Sequence, residues 1–292
     1  MTTNRSSGRV RIVGSVLVRN EDAFVETAIR NVVAFCDRIH VVDHHSTDRT
    51  WSVVRSLARE FDTLDVRRSR FAGDSHRALE PYAGTPTWVL GVDGDELFDP
   101  GALARLRDIL VAGGHEDVFR IKAHVLNCDE LDWQAAIARG YLAPPSRPVT
   151  KLFNFGAIES WRGAPERLHA GEIVYRPGFH WESRRDLATT SDWDTDHLRC
   201  LHTCFLRRSS RESETDVGWR ENLDETRKFR RGMSGTLIRM IRRPAPSPGA
   251  AKVAQLSSTW KREWYRRGDR VSVDATAFIG HLTTGVPDEL SI

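Results

Sequence analysis

The chain has 292 residues, 40% of them hydrophobic and 28% charged, proportions that exclude a disordered or collagen-like chain and allow one large domain or a domain with an extension. Its four cysteines, Cys36, Cys128, Cys200 and Cys204, form no CxxC pair, which argues against a zinc site or a dithiol redox centre and fits a reducing compartment. The polar start MTTNRSSGRVR lacks the apolar core of a signal peptide, and no apolar run reaches the roughly 20 residues of a membrane span, so a cytoplasmic protein is expected.

The net charge of +3 is unevenly spread. From Leu206 onward there are 17 Lys and Arg against 11 Asp and Glu, and the preceding 205 residues are slightly acidic. In that tail Phe229, Met233 and Leu237 recur at helical spacing among Arg227, Lys228, Arg230, Arg231, Arg239, Arg242 and Arg243. This is the pattern of a basic amphipathic helix, able to lie on an anionic membrane or to pack on a core with a solvated outer face. A nucleic-acid partner is not expected.

In chain order, residues 1–9 read as a disordered lead-in. Val10 to Val18 is a β-branched apolar run and predicts a buried strand. Asp22 is a candidate cap for a helix carrying Phe24, Ala28, Val32 and Phe35. Arg38 to Val42 predicts a second strand, and Ser46 or Thr47 a cap for a helix with Trp51, Val54, Leu57 and Phe61 on one face. Leu64 to Arg67 predicts a third strand, residues 74–83 a helix, and Thr87 to Val92 a fourth strand. Asp99-Pro100 opens a helix with Leu103, Leu106 and Leu110 inward and Gly113-Gly114 after it. Strand and helix alternate four times, which predicts an α/β fold with a mostly parallel, Rossmann-like sheet and flanking helices.

Beyond residue 115 the alternation stops. Residues 118–126 and 150–153 predict strands, 127–148 an irregular connection, and Leu201 to Leu206 a further strand. Pro244 to Gly249 reads as a linker within the tail.

Ligands on such sheets bind outside the carboxyl ends of the strands. Three polar clusters follow predicted strands there: Arg19-Asn20-Glu21, Asp43-His44-His45-Ser46 and Asp93-Gly94-Asp95-Glu96. Three carboxylates within four positions repel one another unless a cation neutralises them, and oxygen ligands of this kind suit Mg²⁺ or Mn²⁺. The alternative is an acidic turn around Asp-Gly. Asp43 can accept hydrogen bonds from a ribose or a base, and Ser46 and Thr47 would start a helix whose free N–H groups favour anions. Alternatively, Ser-Thr-Asp does no more than cap that helix, with His44 and His45 facing solvent.

The ordered set VLVRNEDAFVETAIRNV, VVDHHSTDRTWSVV and WVLGVDGDELFDP resembles the nucleotide-binding half of family 2 glycosyltransferases over residues 10–112, with fainter similarity to about residue 205. The resemblance implies a glycosyltransferase A-type fold with a catalytic domain at 10–205, in which 10–112 bind the nucleotide-sugar and 113–205 the acceptor. Residues 206–292 would then be a basic, helical C-terminal extension. It implies base contacts at Val18, Arg19 and Glu21, a base or ribose contact at Asp43, and metal and diphosphate binding at Asp93 and Asp95. Ser46 joins the nucleotide site. His76 and Arg77 are candidates for a basic residue facing the diphosphate, with a surface role for Arg77 the plainer alternative. The His44-His45 pair departs from the family pattern, which would narrow the base pocket or alter the base preference.

An inverting reaction needs a carboxylate base. Trp161-Arg162-Gly163-Ala164-Pro165-Glu166 resembles the family's base-bearing loop, which makes Glu166 the first candidate, with Asp186, Asp192 and Asp194 as alternatives. His202 is a candidate to complete the metal shell or a satisfied core histidine. The implied donor is a UDP-, GDP- or dTDP-linked sugar held with Mn²⁺ or Mg²⁺, and the acceptor is not specified. A nucleotidyltransferase of similar fold and a non-catalytic scaffold docking to membranes through the basic tail are the competing readings.

Overall fold

A computed structural model describes residues 9–71, 74–162, 168, 171–212 and 263–280. Its first half follows the expected alternation. Strands β1 (Arg11–Val18), β2 (Arg38–Asp43), β3 (Leu64–Arg68) and β4 (Thr87–Asp93) are separated by helices α1 (Val25–Val33), α2 (Thr50–Glu60) and the one-turn α3 (Asp74–Arg77). The four strands lie in the order β3-β2-β1-β4, all parallel. Buried on both faces, β1 and β4 are filled with Val, Ile, Leu and Trp, as a central parallel strand requires. The register sets Val18 against Asp43 and Leu17 against Asp93, so three strand ends come out at one level.

Helix boundaries depart from the expected caps for identifiable reasons. Asp22 does not cap α1; its carboxylate instead accepts hydrogen bonds from the amides of Arg49 and Ser210. Helix α2 starts later than Ser46 or Thr47, with the Asp48 carboxylate accepting from the Thr50 amide at 2.9 Å. The helix expected over 74–83 is interrupted: α3 ends at Arg77, and Glu80–Tyr82 form a tight turn around Pro81, where proline cannot donate to a continuing helix. By contrast, Asp99 caps α4 (Pro100–Val111) as expected, accepting from the Ala102 amide at 3.0 Å.

The second half is antiparallel. After the short β5 (Glu96–Phe98) come β6 (Arg120–Asp132), β7 (Ile137–Ala143) and β8 (Val149–Asn154), extending the sheet as β7-β6-β8-β4. The connection expected at 127–148 is therefore largely strand. Its charged residues looked like loop because they sit at the solvated end of the ladder. There Glu130 pairs with Arg139 and with Arg270, and Arg270 also reaches Asp129 at 3.0 Å. The chain continues through β9 (Ile158–Arg162), β10 (Glu172–Tyr175), β11 (Arg184–Asp186) and β12 (Arg199–His202), and β12 pairs with both β5 and β6. Of the expected helical extension 206–292, the described parts are seated on the main body. Residues 206–212 lie over the β1 and β2 loops, β13 (Arg270–Asp274) is the edge strand beside β7, and α5 (Thr276–Ile279) packs against α4 and β5. The basic amphipathic stretch around Phe229 and the linker at Pro244 lie outside the described residues. Among the described residues no helix is long and apolar enough to cross a membrane.

One continuous core joins α1, α4, both halves of the sheet and Phe278 of α5, and a smaller one lies around Phe153, Phe155 and Trp161. Gly140 is the tightest point between strands: a methyl group there would press on the Asn127 carbonyl and lie 2.8 Å from its carbon and 2.9 Å from Cys128 Cα. Backbone atoms cannot swing aside as a flexible side chain can. Gly140→Ala should therefore cost about 1–3 kcal/mol or more, read as a lowered denaturation midpoint with unchanged slope; wild-type stability would show that the β6–β7 pairing is looser than described.

Candidate active site

The ends of β1, β2 and β4 bring Val18, Arg19, Glu21, Asp43, Ser46, Asp93 and Asp95 to one edge of the sheet. The loops that carry them are tied together. The Asn20 amide donates to Ser46 Oγ at 3.0 Å, the Thr47 amide to Asn20 Oδ1 at 2.8 Å, and the Glu21 amide to Thr50 Oγ1 at 2.8 Å. Asn20 and His45 take left-handed φ values of 55° to make these turns, a conformation asparagine tolerates well. His44 is buried rather than solvent-facing, its amide donating to the Val18 carbonyl at 2.9 Å.

Asp43 is fully buried. It accepts from the Ser46 amide at 3.1 Å and pairs with Arg68 Nε at 2.9 Å, while the Arg68 guanidinium also donates to the Ser46 carbonyl and lies over Trp51. The carboxylate thus holds its loop in shape, and Arg68 supplies its counter-charge.

The acidic motif separates into different environments. Asp93 is partly exposed and lies 3.9 Å from Lys151 Nζ. Glu96 is buried, accepts from the Asp93 amide at 3.0 Å and forms a salt bridge with Lys151. Burial pushes the Glu96 carboxyl up to about 7 against the pull of Lys151. Burial would lower Lys151, but Glu96 and Asp93 outweigh it and hold the ammonium above its ordinary range. Gly94 is required by space, since a side chain there would strike Glu21 and come within 2.9 Å of Val18 Cγ1.

Asp95 has no exposed surface. Its Oδ2 accepts from Arg208 Nη1 at 2.9 Å and lies 3.9 Å from His202 Nε2. Arg208 is 4% exposed and also approaches Glu21 at 4.0 Å and Glu212 at 3.8 Å. The segment bearing it is bonded down on both sides: Ser209 Oγ donates to Asp48 at 2.6 Å, Ser210 Oγ to Asp22 at 2.6 Å, and the Ala23 amide to the Arg208 carbonyl at 3.0 Å.

His202 is oriented from behind. Its Nδ1 donates to Asn127 Oδ1 at 2.9 Å, while Asn127 Nδ2 donates to Ser146 Oγ at 2.9 Å. That chain places the ring hydrogen on Nδ1 and turns Nε2 toward Asp95, the tautomer a metal-ligating histidine needs. Among the described residues there is no group of three or more His, Cys, Asp or Glu able to hold a metal ion. Two facing donors, a buried carboxylate oxygen and a preset imidazole nitrogen, nevertheless suit Mg²⁺ or Mn²⁺, which takes one or two protein ligands and completes its shell with phosphate oxygens and water. The residues fit a shared protein–diphosphate site rather than a closed cage.

Two candidates fall elsewhere. Asp186 pairs with Lys122 Nζ at 3.0 Å and stands opposite Lys122 in the β11–β6 register, whereas His202 stands opposite Asn127. At about 3.3 Å per residue the two levels are some 16 Å apart along β6, so Asp186 lies well short of His202 along the strand. Arg77 is largely exposed and pairs with Asp74 at 3.0 Å, a surface role. Glu166 lies outside the described residues; His76 is buried against Trp161. The sequence reading missed Arg208, Asn127, Lys151 and Arg68. Lys151 alone left a local signal, a lysine inside an apolar strand.

Removing one partner from a buried ion pair leaves an uncompensated charge, which costs about 3–5 kcal/mol. Arg208→Gln should destabilise the metal-free protein by about that amount in chemical denaturation, and Asp95→Asn with Arg208→Gln should recover much of the loss. Additive losses in the two single variants and the double would show that the pair is not coupled.

Residues 16–151 match the family model described as Glycosyl transferase family 2. Glucosyl-3-phosphoglycerate synthase from Mycobacterium tuberculosis, solved with Mn²⁺, UDP and glucosyl-3-phosphoglycerate, is 24% identical over 41% of this chain and 45% of its own, with a TM-score of 0.31. This chain thus spans under half the length of that protein. The mannosyltransferase PcManGT from Pyrobaculum calidifontis, solved with GDP-Man and Mn²⁺, is 15% identical over 96% of this chain and 77% of its own, with a TM-score of 0.37. A 4-diphosphocytidyl-2C-methyl-D-erythritol synthase from Anaerococcus prevotii is 11% identical over 51% and 73%, with a TM-score of 0.32. No curated protein sequence matches the chain. The matched segment, a little under half of the chain, runs from β1 into β8 and contains all three polar strand ends; over that stretch the chain is similar to glycosyl transferase family 2, and its α/β sheet with flanking helices is consistent with the glycosyltransferase A-type fold.

Proposed function

We propose that the protein is a metal-dependent glycosyltransferase that moves a sugar from a nucleoside diphosphate to an acceptor hydroxyl. The observation that carries this reading is the facing pair of Asp95 Oδ2 and His202 Nε2, 3.9 Å apart at the carboxyl edge of a parallel sheet. The nucleoside would lie across the ends of β1 and β2, against Val18, Arg19, Glu21, Asp43 and Ser46. Asp95 and His202 would hold a divalent ion, with Asp93 at its rim. When bound, such an ion offsets charge developing on the departing diphosphate.

The chain's own residues would do the rest. Asn127 holds His202 in its ligating tautomer. Arg208 neutralises Asp95 before ligand arrives and, once that carboxylate has another cation, is placed to pair with a diphosphate oxygen instead. Lys151 keeps Glu96 and Asp93 from repelling the incoming nucleotide. For an inverting transfer Glu166 remains the base that the sequence nominates. The nucleotidyltransferase reading gains no particular observation, and the membrane-docking reading depends on tail residues outside those described.

UDP, GDP and dTDP, each with and without Mn²⁺, should be compared by thermal melting. A ligand at about a hundred times its Kd adds roughly 2.7 kcal/mol. One diphosphate should raise the midpoint only with Mn²⁺, and Asp95→Asn should abolish the effect. A shift that persists without the metal, or in that variant, refutes the assigned site; no shift with any nucleotide refutes the transferase reading.

A further inference from the structure

Beside His202, on the side away from β1 and β2, lies a second cluster that the donor site does not use. Residues 263–268 return to the sheet here and dock on the loop after β7. The docking is close: a methyl group on Gly268, whose φ is +90°, would lie 2.5 Å from Pro145 Cγ and 2.9 Å from its Cδ. The Tyr265 ring meets the His202 ring edge-on, with centroids 5.3 Å apart. Around these rings stand three arginines. Arg147 lies over Trp264 at 5.3 Å and over Tyr265 at 5.5 Å, and its Nη1 donates to the Tyr265 hydroxyl at 3.2 Å. Arg267 lies over the same Trp264 ring at 5.9 Å, and Arg266 over Phe205 at 4.6 Å.

Arg68, Arg208 and Arg199 are each matched by a carboxylate, Asp43, Asp95 and Asp99 respectively. Arg147, Arg266 and Arg267 have no carboxylate partner among the described residues. Arg147 and Arg267 share the Trp264 ring, and Arg266 stands over Phe205, whose ring meets Tyr265 edge-on at 6.4 Å, so three cations that repel one another are held in one aromatic cluster. Stacking covers the flat face of a guanidinium and leaves its N–H edge available for bidentate contact with an oxyanion. The cluster is also held in register with the reaction centre. Arg147 follows Ser146, and Ser146 Oγ is bonded through Asn127 to His202.

We propose that Arg147, Arg266 and Arg267, with Tyr265, form an acceptor subsite that binds a phosphoryl group and so selects a phosphorylated acceptor. A phosphate monoester carries nearly two charges at neutral pH and three acceptor oxygens, which matches three guanidinium edges better than a single carboxylate does. The acceptor hydroxyl then reaches toward the Asp95–His202 pair, one ring beyond Tyr265. This inference rests on the transferase reading, in that the bound group is taken to belong to the acceptor. The phosphoryl group is equally that of a soluble ester or of a lipid headgroup, and the test separates the two.

Phenyl phosphate and phenol should be titrated against the full-length protein, and the protein should be co-sedimented with phosphatidylcholine vesicles with and without phosphatidic acid. Phenyl phosphate is expected to bind at least tenfold tighter than phenol if the acceptor is soluble. Selective capture by phosphatidic acid vesicles, without that preference, assigns the group to a lipid headgroup. In either case Arg147→Gln with Arg267→Gln should weaken binding at least tenfold, and the exposed Arg266→Gln, which cannot disturb packing, by about threefold. The Mn²⁺-dependent nucleotide shift should be unchanged in these variants, which also shows that they are folded. Binding that survives in both variants, or no preference for phosphate in either format, overturns the proposal. Absence of the nucleotide shift from the wild type instead overturns the transferase reading, independently of these titrations.

Discussion

The buried carboxylate of Asp95 is the constraint around which the rest is arranged. A fully buried charge costs several kcal/mol unless a partner of opposite sign lies beside it. Here that partner, Arg208, comes from more than a hundred residues later in the chain. Once Arg208 is placed there, the segment around it must cross the β1 and β2 loops. Ser209 and Ser210 are bonded to Asp48 and Asp22, and the Ala23 amide to the Arg208 carbonyl. One ion pair thereby couples three strand ends to a stretch that local pattern would assign to a detached extension. In the proposed reading the same coupling would poise the site, because an incoming divalent cation would compete with the Arg208 guanidinium for one carboxylate oxygen.

Strand β6 is the second organising element. It pairs with β7 and β8 on its two sides and with β11 and β12 at successive levels. At its middle Asn127 receives the His202 hydrogen and passes a hydrogen bond to Ser146. The imidazole that faces Asp95 and the loop that carries Arg147 are therefore positioned by one side chain. A chain of neutral hydrogen bonds suits this task, since it fixes tautomer and orientation without adding charge to an edge already crowded with carboxylates. Nearer the start of β6, Lys122 pairs with Asp186 of β11 at 3.0 Å.

Much of the first half could be read locally. The β-branched runs of β1, β2 and β4 and the Asp99-Pro100 helix start are short-range signals, and tertiary packing reinforced them. Glycine between Asp93 and Asp95 was legible as a turn; that it also makes room for Glu21 was not, because the contact crosses from the β1 loop. Capping failed as a guide at Asp22 and at Ser46-Thr47 for one reason. Each of these side chains had a distant hydrogen-bond partner that competed successfully with the nearest helix end. The charged end of β6 misread as loop because its neutralising partners, Arg139 and Arg270, lie on other strands.

By itself the sequence determined the alternating α/β half, its resemblance to a glycosyltransferase family, and the placement of three polar clusters at strand ends, since period, turn chemistry and motif order are properties of neighbours in the chain. Only the tertiary structure decided which carboxylate is buried, which arginine answers it, which way His202 points, and that Asp186 pairs with Lys122 five residues short of the His202 level on β6. Those outcomes depend on charge compensation and hydrogen-bond geometry between residues tens to more than a hundred positions apart, and no local pattern encodes that distance.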